Sequence, residues 1–150
     1  ASETLAVFGS LGLLETDFDI PLSQDLDSRE QAHAPAYQFS LGARAQISGS
    51  LALSVDVEGK DEFYLSSSHG EKSQPYELVN ANLTYISGDW ELSLWGRNLT
   101  DEDVIIRGFN FAGFTGDAYY GNDPRKGWIT EPYYQLGAPR IIGLSAKYDF

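Results

Sequence analysis

The chain contains 150 residues, carries a formal net charge of −12 and has no cysteine. The acidic balance excludes nucleic acid as an expected partner, because phosphate contacts need clustered lysine and arginine. Without cysteine the chain forms no disulfide, no thiolate zinc site and no cysteine nucleophile. No stretch approaches the length of about eighteen apolar residues that a transmembrane helix requires. The 15 Gly, 9 Tyr, 8 Phe and 3 Trp favour strands and turns.

Apolar and polar residues alternate in six segments, which predict six strands in an all-β chain without a helix. The second segment is the clearest, since its apolar row from Tyr37 to Ile47 alternates with a row that contains Arg44 and Gln46. In the last segment the alternation continues to Phe150 at the carboxyl end. The strands are expected at residues 5–13, 37–47, 51–64, 77–87, 90–98 and 140–150.

The connections between these segments alternate between short and long. Two are minimal, Ser-Gly-Ser at 48–50 and Ser-Gly-Asp at 87–89, and both have the composition of hairpin turns. The other three are long and lie at about 15–35, about 65–75 and within 101–139. In an up-and-down antiparallel meander every second connection lies at the same edge, so one edge should carry tight turns and the other long loops. Transmembrane β-barrels of the outer-membrane type have this asymmetry.

The two faces of the predicted sheet differ as the two faces of a barrel wall do. Segments of this length match the tilted span of a bilayer by a strand of about 9–11 residues. Amphipathic rings, which prefer the boundary between water and lipid, lie near the ends of the apolar rows at Tyr37, Tyr85, Trp90 and Tyr148. The opposite rows carry side chains suited to a wet or plugged lumen: Arg44, Gln46, Asp56, Asn80, Asn82, Glu91, Arg97 and Lys147. A soluble all-β binding domain built as a sandwich has the same alternation and stays open as an alternative.

Three stretches, in order, resemble the carboxyl-terminal end of a TonB-dependent outer-membrane receptor. They are Y-E-L-V-N-A at Tyr76–Ala81, W-E-L-S-L-W-G-R-N-L-T-D at Trp90–Asp101 and the final P-R-I-I-G strand that begins at Pro139. The earlier segments are similar to preceding barrel strands, so the resemblance covers essentially the whole chain. It implies a segment of a transmembrane β-barrel in the bacterial outer membrane, in contact with membrane lipid, the rest of the barrel and a plug. It also implies uptake of a siderophore–iron complex or a similar scarce nutrient, with cobalamin, haem and oligosaccharides as competing cargoes.

The resemblance assigns a role to the last strand. A terminal strand that ends in phenylalanine looks like the signal recognised by the barrel-assembly machinery, here carried by Gly143, Ala146, Tyr148 and Phe150. Ile141 departs from this pattern, because a polar residue is commoner at its position in the family.

Receptors of this kind are plugged barrels of about 22 strands, whereas the sequence predicts six. The amino-terminal plug, which carries the TonB-contacting segment in the family, has no counterpart in the sequence. The TonB complex is therefore an expected partner only through the missing plug, and the chain is expected to be a fragment that does not transport alone. An isolated sheet with two open edges also predicts self-association into filaments or amyloid-like oligomers, which is a second alternative.

The third long connection is the one place where contact with a ligand is expected. It combines rings that can stack on a sugar or an aryl group with two cations that can meet an anionic ligand. The candidate ligand-binding residues are Phe109, Phe111, Phe114, Tyr119, Tyr120, Arg125, Lys126 and Trp128. Alternatively, these rings pack on one another or lie at the membrane boundary.

The remaining polar motifs are interpreted without a chemical role. The Asn-Leu-Thr triplets at Asn82 and Asn98 are formal glycosylation acceptors, but both lie in predicted strands. The acidic run Asp101–Asp103 lacks the spacing of a calcium loop and is interpreted as solvated. Sequence motifs of hydrolases, zinc proteases and phosphate-binding loops are not found, so no enzyme, cofactor or metal site is expected.

Overall fold

The structure is a computed structural model that describes residues 4–17, 30–66, 70–109 and 133–150. These ranges contain eight strands: β1 Leu5–Leu13, β2 Tyr37–Gln46, β3 Leu51–Lys60, β4 Tyr76–Ser87, β5 Trp90–Arg97, β6 Ile105–Phe109, β7 Tyr133–Leu136 and β8 Ile141–Tyr148. Nowhere in these ranges does a helix have both the length and the apolar character needed to cross a membrane.

Six of the strands form one antiparallel sheet in the order β1-β2-β3-β4-β5-β8. β6 and β7 pair with each other as a separate hairpin, so β5 finds its next neighbour in β8. The predicted all-β antiparallel meander is therefore confirmed. The sheet does not close on itself, and β1 and β8 are its two outermost strands. We call the two ends of the strands, where the tight turns and the long connections lie, the turn edge and the loop edge.

The register places the apolar rows of all six strands on one face. Val55, for example, lies opposite Ala43 on β2 and Ala81 on β4, and Ala81 lies opposite Gly96 on β5. This apolar face comprises Leu5, Val7, Leu11, Leu13, Tyr37, Phe39, Leu41, Ala43, Ala45, Leu51, Leu53, Val55, Val57, Val79, Ala81, Leu83, Tyr85, Trp90, Leu92, Leu94, Ile142, Leu144, Ala146 and Tyr148. Two-residue periodicity and two tight hairpins are sufficient to bring these rows into line.

The opposite face of the sheet is mainly polar. This polar face carries Ser40, Arg44, Gln46, Ser54, Asp56, Glu58, Asn80, Asn82, Thr84, Glu91, Ser93, Arg97, Ser145 and Lys147. Its side chains form hydrogen bonds across strands, as between Thr84 Oγ1 and Ser93 Oγ at 3.2 Å. The sequence therefore gives the sheet two chemically distinct faces.

The apolar face is exposed along the edge strands. Leu5 is 61% exposed and Leu144 is 81% exposed. A soluble sandwich would cover such a face with a second sheet, but the second sheet in the described ranges is only the two-stranded hairpin β6–β7. The sandwich alternative is not favoured.

The tight turns lie together at one edge of the sheet. Gly88, the first of the two residues between β4 and β5, has a φ of +58°, as a type II′ hairpin turn requires of a glycine. In the other turn, the amide of Ile47 donates to the carbonyl of Leu51 at 2.8 Å. Rings collect at this edge, because the Tyr148 ring centroid lies 4.9 Å from that of Trp90 and 5.0 Å from that of Phe150.

The structure differs from the sequence expectation at the other edge. The third segment was expected to reach residue 64, but β3 ends at Lys60 and Tyr64 forms only an isolated bridge to Lys72. The fifth segment was expected to reach residue 98, but β5 ends at Arg97 because Asn98 has a φ of +49° and leaves the extended conformation. The hairpin β6–β7 lies inside a connection to which the sequence assigned no strand.

Most described buried apolar side chains lie in the connections and not in the sheet. Within the described ranges, the buried apolar residues are Ala34, Ala52, Phe63, Leu65 and Val104, of which only Ala52 belongs to a sheet strand. The small core therefore lies at the edge where the long connections meet.

Candidate functional site

The first two long connections pack together at the loop edge. The amide of His33 donates to the carbonyl of Tyr64 at 2.9 Å, which joins the first connection to the second. Within the second connection, the amide of Ser73 donates to the carbonyl of Phe63, and the amide of Phe63 donates to Ser73 Oγ. Phe63 and Ser73 are buried. We call residues 30–36, 61–66 and 70–75, together with hairpin β6–β7, the loop rim.

Lys72 reinforces the contact between these two connections. Its Nζ lies 2.9 Å from Glu62 Oε1 and 3.5 Å from Glu30 Oε2, and it lies 4.6 Å from the centroid of the Tyr64 ring. The hydrogen bond with Glu62 raises the pKa of Lys72, while partial desolvation acts in the opposite direction. Because the three charged groups are partly exposed, the pairs are expected to contribute less than about 1 kcal/mol each.

The hairpin β6–β7 is fixed to the same rim. Gly108 lies against the buried Leu65 so closely that a Cβ at Gly108 would be 2.6 Å from Leu65 Cδ1. The hydroxyl of Tyr134 donates to Glu71 Oε2 at 3.2 Å. Partial burial raises the pKa of Tyr134, and the charge of Glu71 adds to the effect. All three long connections therefore contribute to one rim.

Among the predicted ligand-binding residues, Phe109 belongs to the described ranges. Phe109 is the last residue of β6 and pairs with Tyr133, the first residue of β7. The hairpin thus brings both ends of the 110–132 connection together at the loop edge. The other candidates lie outside the described residues: Phe111, Phe114, Tyr119, Tyr120, Arg125, Lys126 and Trp128.

Asn98 connects the end of β5 to the approach to β8. Its side chain is almost fully buried, and its Nδ2 donates to the carbonyls of Glu102 at 2.9 Å and Ala138 at 3.2 Å. Its Oδ1 accepts the amide of Glu102 at 2.9 Å. Asparagine tolerates a positive φ better than most residues. Asn98 therefore fits the positive φ at this position and also supplies the hydrogen bonds that join the two segments. The role of Asn98 is structural, as its sequence interpretation allowed, but its partners were not foreseen.

Asp101 completes the same junction, and its side chain is 48% exposed, in agreement with its interpretation as a solvated acid. Its Oδ1 accepts the backbone amide of Arg140 at 3.1 Å, and its Oδ2 lies 3.1 Å from the Arg140 guanidinium. Asp101 also has a positive φ, of 60°. The Asn-Leu-Thr-Asp run, already singled out by the resemblance, was the sequence signal for this junction, which we call the clasp (Asn98, Asp101, Glu102, Ala138 and Arg140).

A second set of side chains lies on the polar face below the rim. Asn80 Nδ2 donates to Asp56 Oδ2 at 2.8 Å, and Asn80 Oδ1 accepts the amide of Asn98 at 3.1 Å. A recess of about 540 Å³ begins here, and its walls include Glu58 and Arg97. Apolar residues also line this recess, toward the rim: Leu78, Val104, Ile106 and Pro139.

Trp95 borders a second recess on the polar face, of about 400 Å³. Its Nε1 donates to Ser145 Oγ at 3.0 Å, and its ring lies flat on Gly143, where a Cβ would be 2.3 Å from Cζ2. The guanidinium carbon of Arg97 lies 6.0 Å from the Trp95 ring centroid. Arg97 lines both recesses.

The four residues of the predicted assembly signal are distributed over both faces of β8. Gly143 lies under Trp95 on the polar face, whereas Ala146 and Tyr148 lie on the apolar face. Phe150 follows β8 and packs edge-on against Tyr148. Recognition of these residues by assembly machinery stays a prediction.

Solved siderophore receptors have the same fold along almost the whole chain. The siderophore receptor PiuA of Acinetobacter baumannii superposes with a TM-score of 0.70 at 11% identity, over 97% of this chain and 19% of PiuA. The ferric-catecholate import receptor Fiu of Escherichia coli K12 gives 0.71 at 18% identity, over 99% of this chain and 19% of Fiu. The chain has the fold of a receptor β-barrel segment.

A third receptor agrees with this assignment. The ferric preacinetobactin receptor BauA of Acinetobacter baumannii gives a TM-score of 0.63 at 21% identity, over 99% of this chain and 20% of BauA. The chain spans about a fifth of the length of these receptors. No family model matches the sequence. In barrels of this kind the apolar face meets lipid and the polar face lines the lumen.

Proposed function

We propose that the chain is the carboxyl-terminal part of the β-barrel of a TonB-dependent outer-membrane receptor that takes up a siderophore–iron complex or a similar scarce nutrient. The observation that carries the proposal is the sheet itself, in which six strands align one apolar face and one polar face. Its tight turns and long connections lie at opposite edges. The likeness to three siderophore receptors supports the same assignment.

In this function the chain supplies barrel wall and part of the extracellular loops. A strand of 10 residues such as β3 is about 33 Å long, and a tilt of about 40° makes it span about 25 Å, the height of the apolar band in such barrels. β1 and β8 pair with neighbouring strands of the complete barrel, so no edge meets lipid. A plug carried elsewhere in the receptor fills the lumen and contacts the TonB complex, and the segment alone does not transport.

The candidate cargo contacts lie in the connection carried by hairpin β6–β7. The rim supports this proposal because it fixes the hairpin at the loop edge, on the side from which cargo arrives. The two cations at Arg125 and Lys126 and the surrounding rings suit an anionic aryl ligand. Fiu is a receptor for a ferric catecholate, a cargo of this chemical class.

The last strand is proposed to direct assembly of the barrel. Gly143, Ala146, Tyr148 and Phe150 would be read by the assembly machinery before β8 pairs with its second neighbour. The structure supports this proposal because β8 is an edge strand of the sheet and ends in the ring cluster with Trp90. The self-association alternative gains no support from the comparisons.

Intact mass and cell fractionation test the receptor assignment directly. A native polypeptide several times larger than 16.6 kDa, located in the outer membrane, is the expected result. A native polypeptide of 16.6 kDa in the soluble fraction would contradict the proposal.

Uptake measurements test the cargo contacts. Trp128→Ala and Tyr120→Ala are expected to lower uptake of the iron complex per receptor while the amount of receptor in the membrane stays the same. Trp90→Ala is the matched control, since it removes a ring at the turn edge and should leave uptake per receptor unchanged. If uptake per receptor is as high in Trp128→Ala and Tyr120→Ala as in Trp90→Ala, this connection has no cargo role.

A further inference from the structure

Arg97 is an exposed cation on the polar face, and the described residues supply no counterion for it. It lies at the end of β5 on the polar face, and no described residue forms an ion pair or a side-chain hydrogen bond with it. Arg44 shares the same face but lines neither of the two recesses described above, whereas Arg97 lines both. Arg97 therefore borders space that an occupant of the lumen can enter.

Arg97 lies beside Trp95 on the polar face. Trp95 packs against Gly143 and donates from its Nε1 to Ser145 Oγ, and the guanidinium carbon of Arg97 lies 6.0 Å from the centroid of the Trp95 ring. A guanidinium next to an aromatic ring keeps N–H groups available for a planar acceptor, which a carboxylate meets with two parallel hydrogen bonds. The Arg97 guanidinium can therefore donate two parallel hydrogen bonds to one carboxylate.

The carboxylates nearest along the sheet do not fill this role. Asp56 lies on β3, two strands away, and its Oδ2 already accepts a hydrogen bond from Asn80. Asn80 Oδ1 accepts the amide of Asn98, so both polar atoms of the Asn80 side chain already have hydrogen-bond partners. Glu58, which borders the upper recess, also lies on β3. Among the described residues, neither of these carboxylates forms an ion pair with Arg97.

Arg97 needs a hydrogen-bond acceptor when the lumen is filled. When polypeptide displaces water from the polar face, a glutamate can become neutral by taking up a proton, but an arginine keeps its charge. An unpaired charge that loses its water costs several kcal/mol, so a lumen filled at this position has to present an acceptor. The mixed lining of the recess, polar toward the sheet and apolar toward the rim, suits a peptide loop.

We propose that Arg97, seated against Trp95, is the docking point for an aspartate or glutamate side chain on the plug segment that fills the lumen of the complete receptor. This inference rests on the proposed function. It assigns a partner to the polar face and predicts that the acidic residue lies on a plug loop that reaches just below the rim.

Photo-crosslinking in the complete receptor tests this docking point. A benzophenone amino acid replaces Ser93, which lines the recess beside Trp95 and leaves Arg97 intact. In membranes from wild-type cells, the crosslink is expected within the same polypeptide, to a tryptic peptide of the plug that contains Asp or Glu. Arg97→Glu should lower the yield of this crosslink at least about tenfold, because it places two acids together, and Arg97→Lys should restore a large part of it.

Lys147→Glu is the matched control. It reverses a charge on the same face, but at the turn edge and beside Asp149, which lies 2.9 Å from Lys147 Nζ. The crosslink should persist in this variant. Heat-modifiable mobility of every variant shows whether the barrel has formed. If Arg97→Glu fails to assemble, Arg97→Gln, which removes the charge without reversing it and should also lower the crosslink, carries the comparison with Arg97→Lys.

Three results would overturn the docking point while leaving the receptor assignment intact. They are a crosslink that is unaffected by Arg97→Glu, a crosslink to a plug peptide without an acid, and a crosslink that forms only with added iron complex. The last result would assign Arg97 to an anionic cargo. A wild-type polypeptide that is not a heat-modifiable outer-membrane protein would instead refute the proposed function itself.

Discussion

Replacing Val55 by arginine tests whether the apolar face meets lipid. Along β3, the side chains on this face are those of Leu51, Leu53, Val55 and Val57, so Val55 lies near the middle of the strand. Strands rise by about 3.4 Å per residue and tilt by about 40° in such barrels. Leu51, four residues away, therefore lies about 10 Å above or below Val55 along the membrane normal.

The expected cost follows from this difference in depth. An arginine on the lipid face destabilises a barrel by about 2–4 kcal/mol at the bilayer midplane and by about 0–1 kcal/mol near the interface. Val55→Arg should therefore lower the ratio of folded to unfolded receptor by about 30-fold to several hundredfold, since about 1.4 kcal/mol corresponds to tenfold. Leu51→Arg should lower this ratio by less than about sixfold.

Equilibrium unfolding in urea, with the complete receptor in lipid vesicles and tryptophan fluorescence as the signal, measures these values. Val55→Leu controls for the change in side-chain size. Ser93→Arg controls for the added charge, because Ser93 lies on the polar face opposite Thr84 and Ser145. An equal loss of stability for arginine at Val55 and Leu51, or at Val55 and Ser93, would refute the assignment of the faces.

Three further substitutions test the clasp, the packing of Trp95 against Gly143 and the loop rim. Asn98→Ala should cost about 1–3 kcal/mol, because it removes three partly buried side-chain hydrogen bonds, two to carbonyls and one from an amide, and hydrogen exchange should accelerate in the β6–β7 hairpin. Gly143→Val should displace Trp95 and shift its fluorescence, whereas Gly49→Val, at a site with no atom within 4 Å of the added Cβ, should not. Lys72→Met removes two ion pairs and should loosen the rim by less than about 2 kcal/mol. The folded-state pKa of Lys72 is raised, so its contribution is complete below its ordinary pKa and is lost only as the pH rises through the folded value. The difference in proteolysis of the rim between wild type and Lys72→Met should therefore depend on salt but not on pH between about 6 and about 9.

The sequence predicted the meander because its strands are long relative to the period of the pattern. Strands such as β2 and β4 have 10 and 12 residues, so the alternation repeats several times in each. The turn at Gly88 then fixes the register of β4 against β5, and a shift by one residue would move every side chain to the opposite face. Pattern and turn together therefore determined both faces of the sheet.

The same pattern failed where apolar side chains belong to a second core. The third segment was expected to reach residue 64, and the apolar residues Phe63 and Leu65 lie at the end of that range and just beyond it. In the structure both side chains are buried in the loop rim, where Phe63 pairs with Ser73 and Leu65 lies against Gly108. Periodicity reports that a side chain is apolar, but it does not report which core receives it.

The hairpin β6–β7 and the clasp depend on contacts that are distant in sequence. β6 has five residues and β7 has four, and the register is irregular between Ile105 and Arg107, so neither strand shows a readable alternation. Asn98 reaches the carbonyl of Ala138, 40 residues away. Such a partner leaves no local signal, and only the resemblance of the Asn-Leu-Thr-Asp run to a receptor motif marked the position.

The wall and the rim of this segment are stabilised by different surroundings, and this difference explains how mutations should divide between them. The wall, which is the six-stranded sheet, buries little against itself, since Leu144 is 81% exposed and Arg97 has no described counterion. Under the proposed function, its stability depends on lipid outside and on a partner inside. The rim buries Phe63 and Leu65 within the described residues and needs neither. Under the proposed function, changes in the wall should therefore impair insertion and the proposed plug docking, whereas changes in the rim should alter the order of the proposed cargo loops and leave insertion intact.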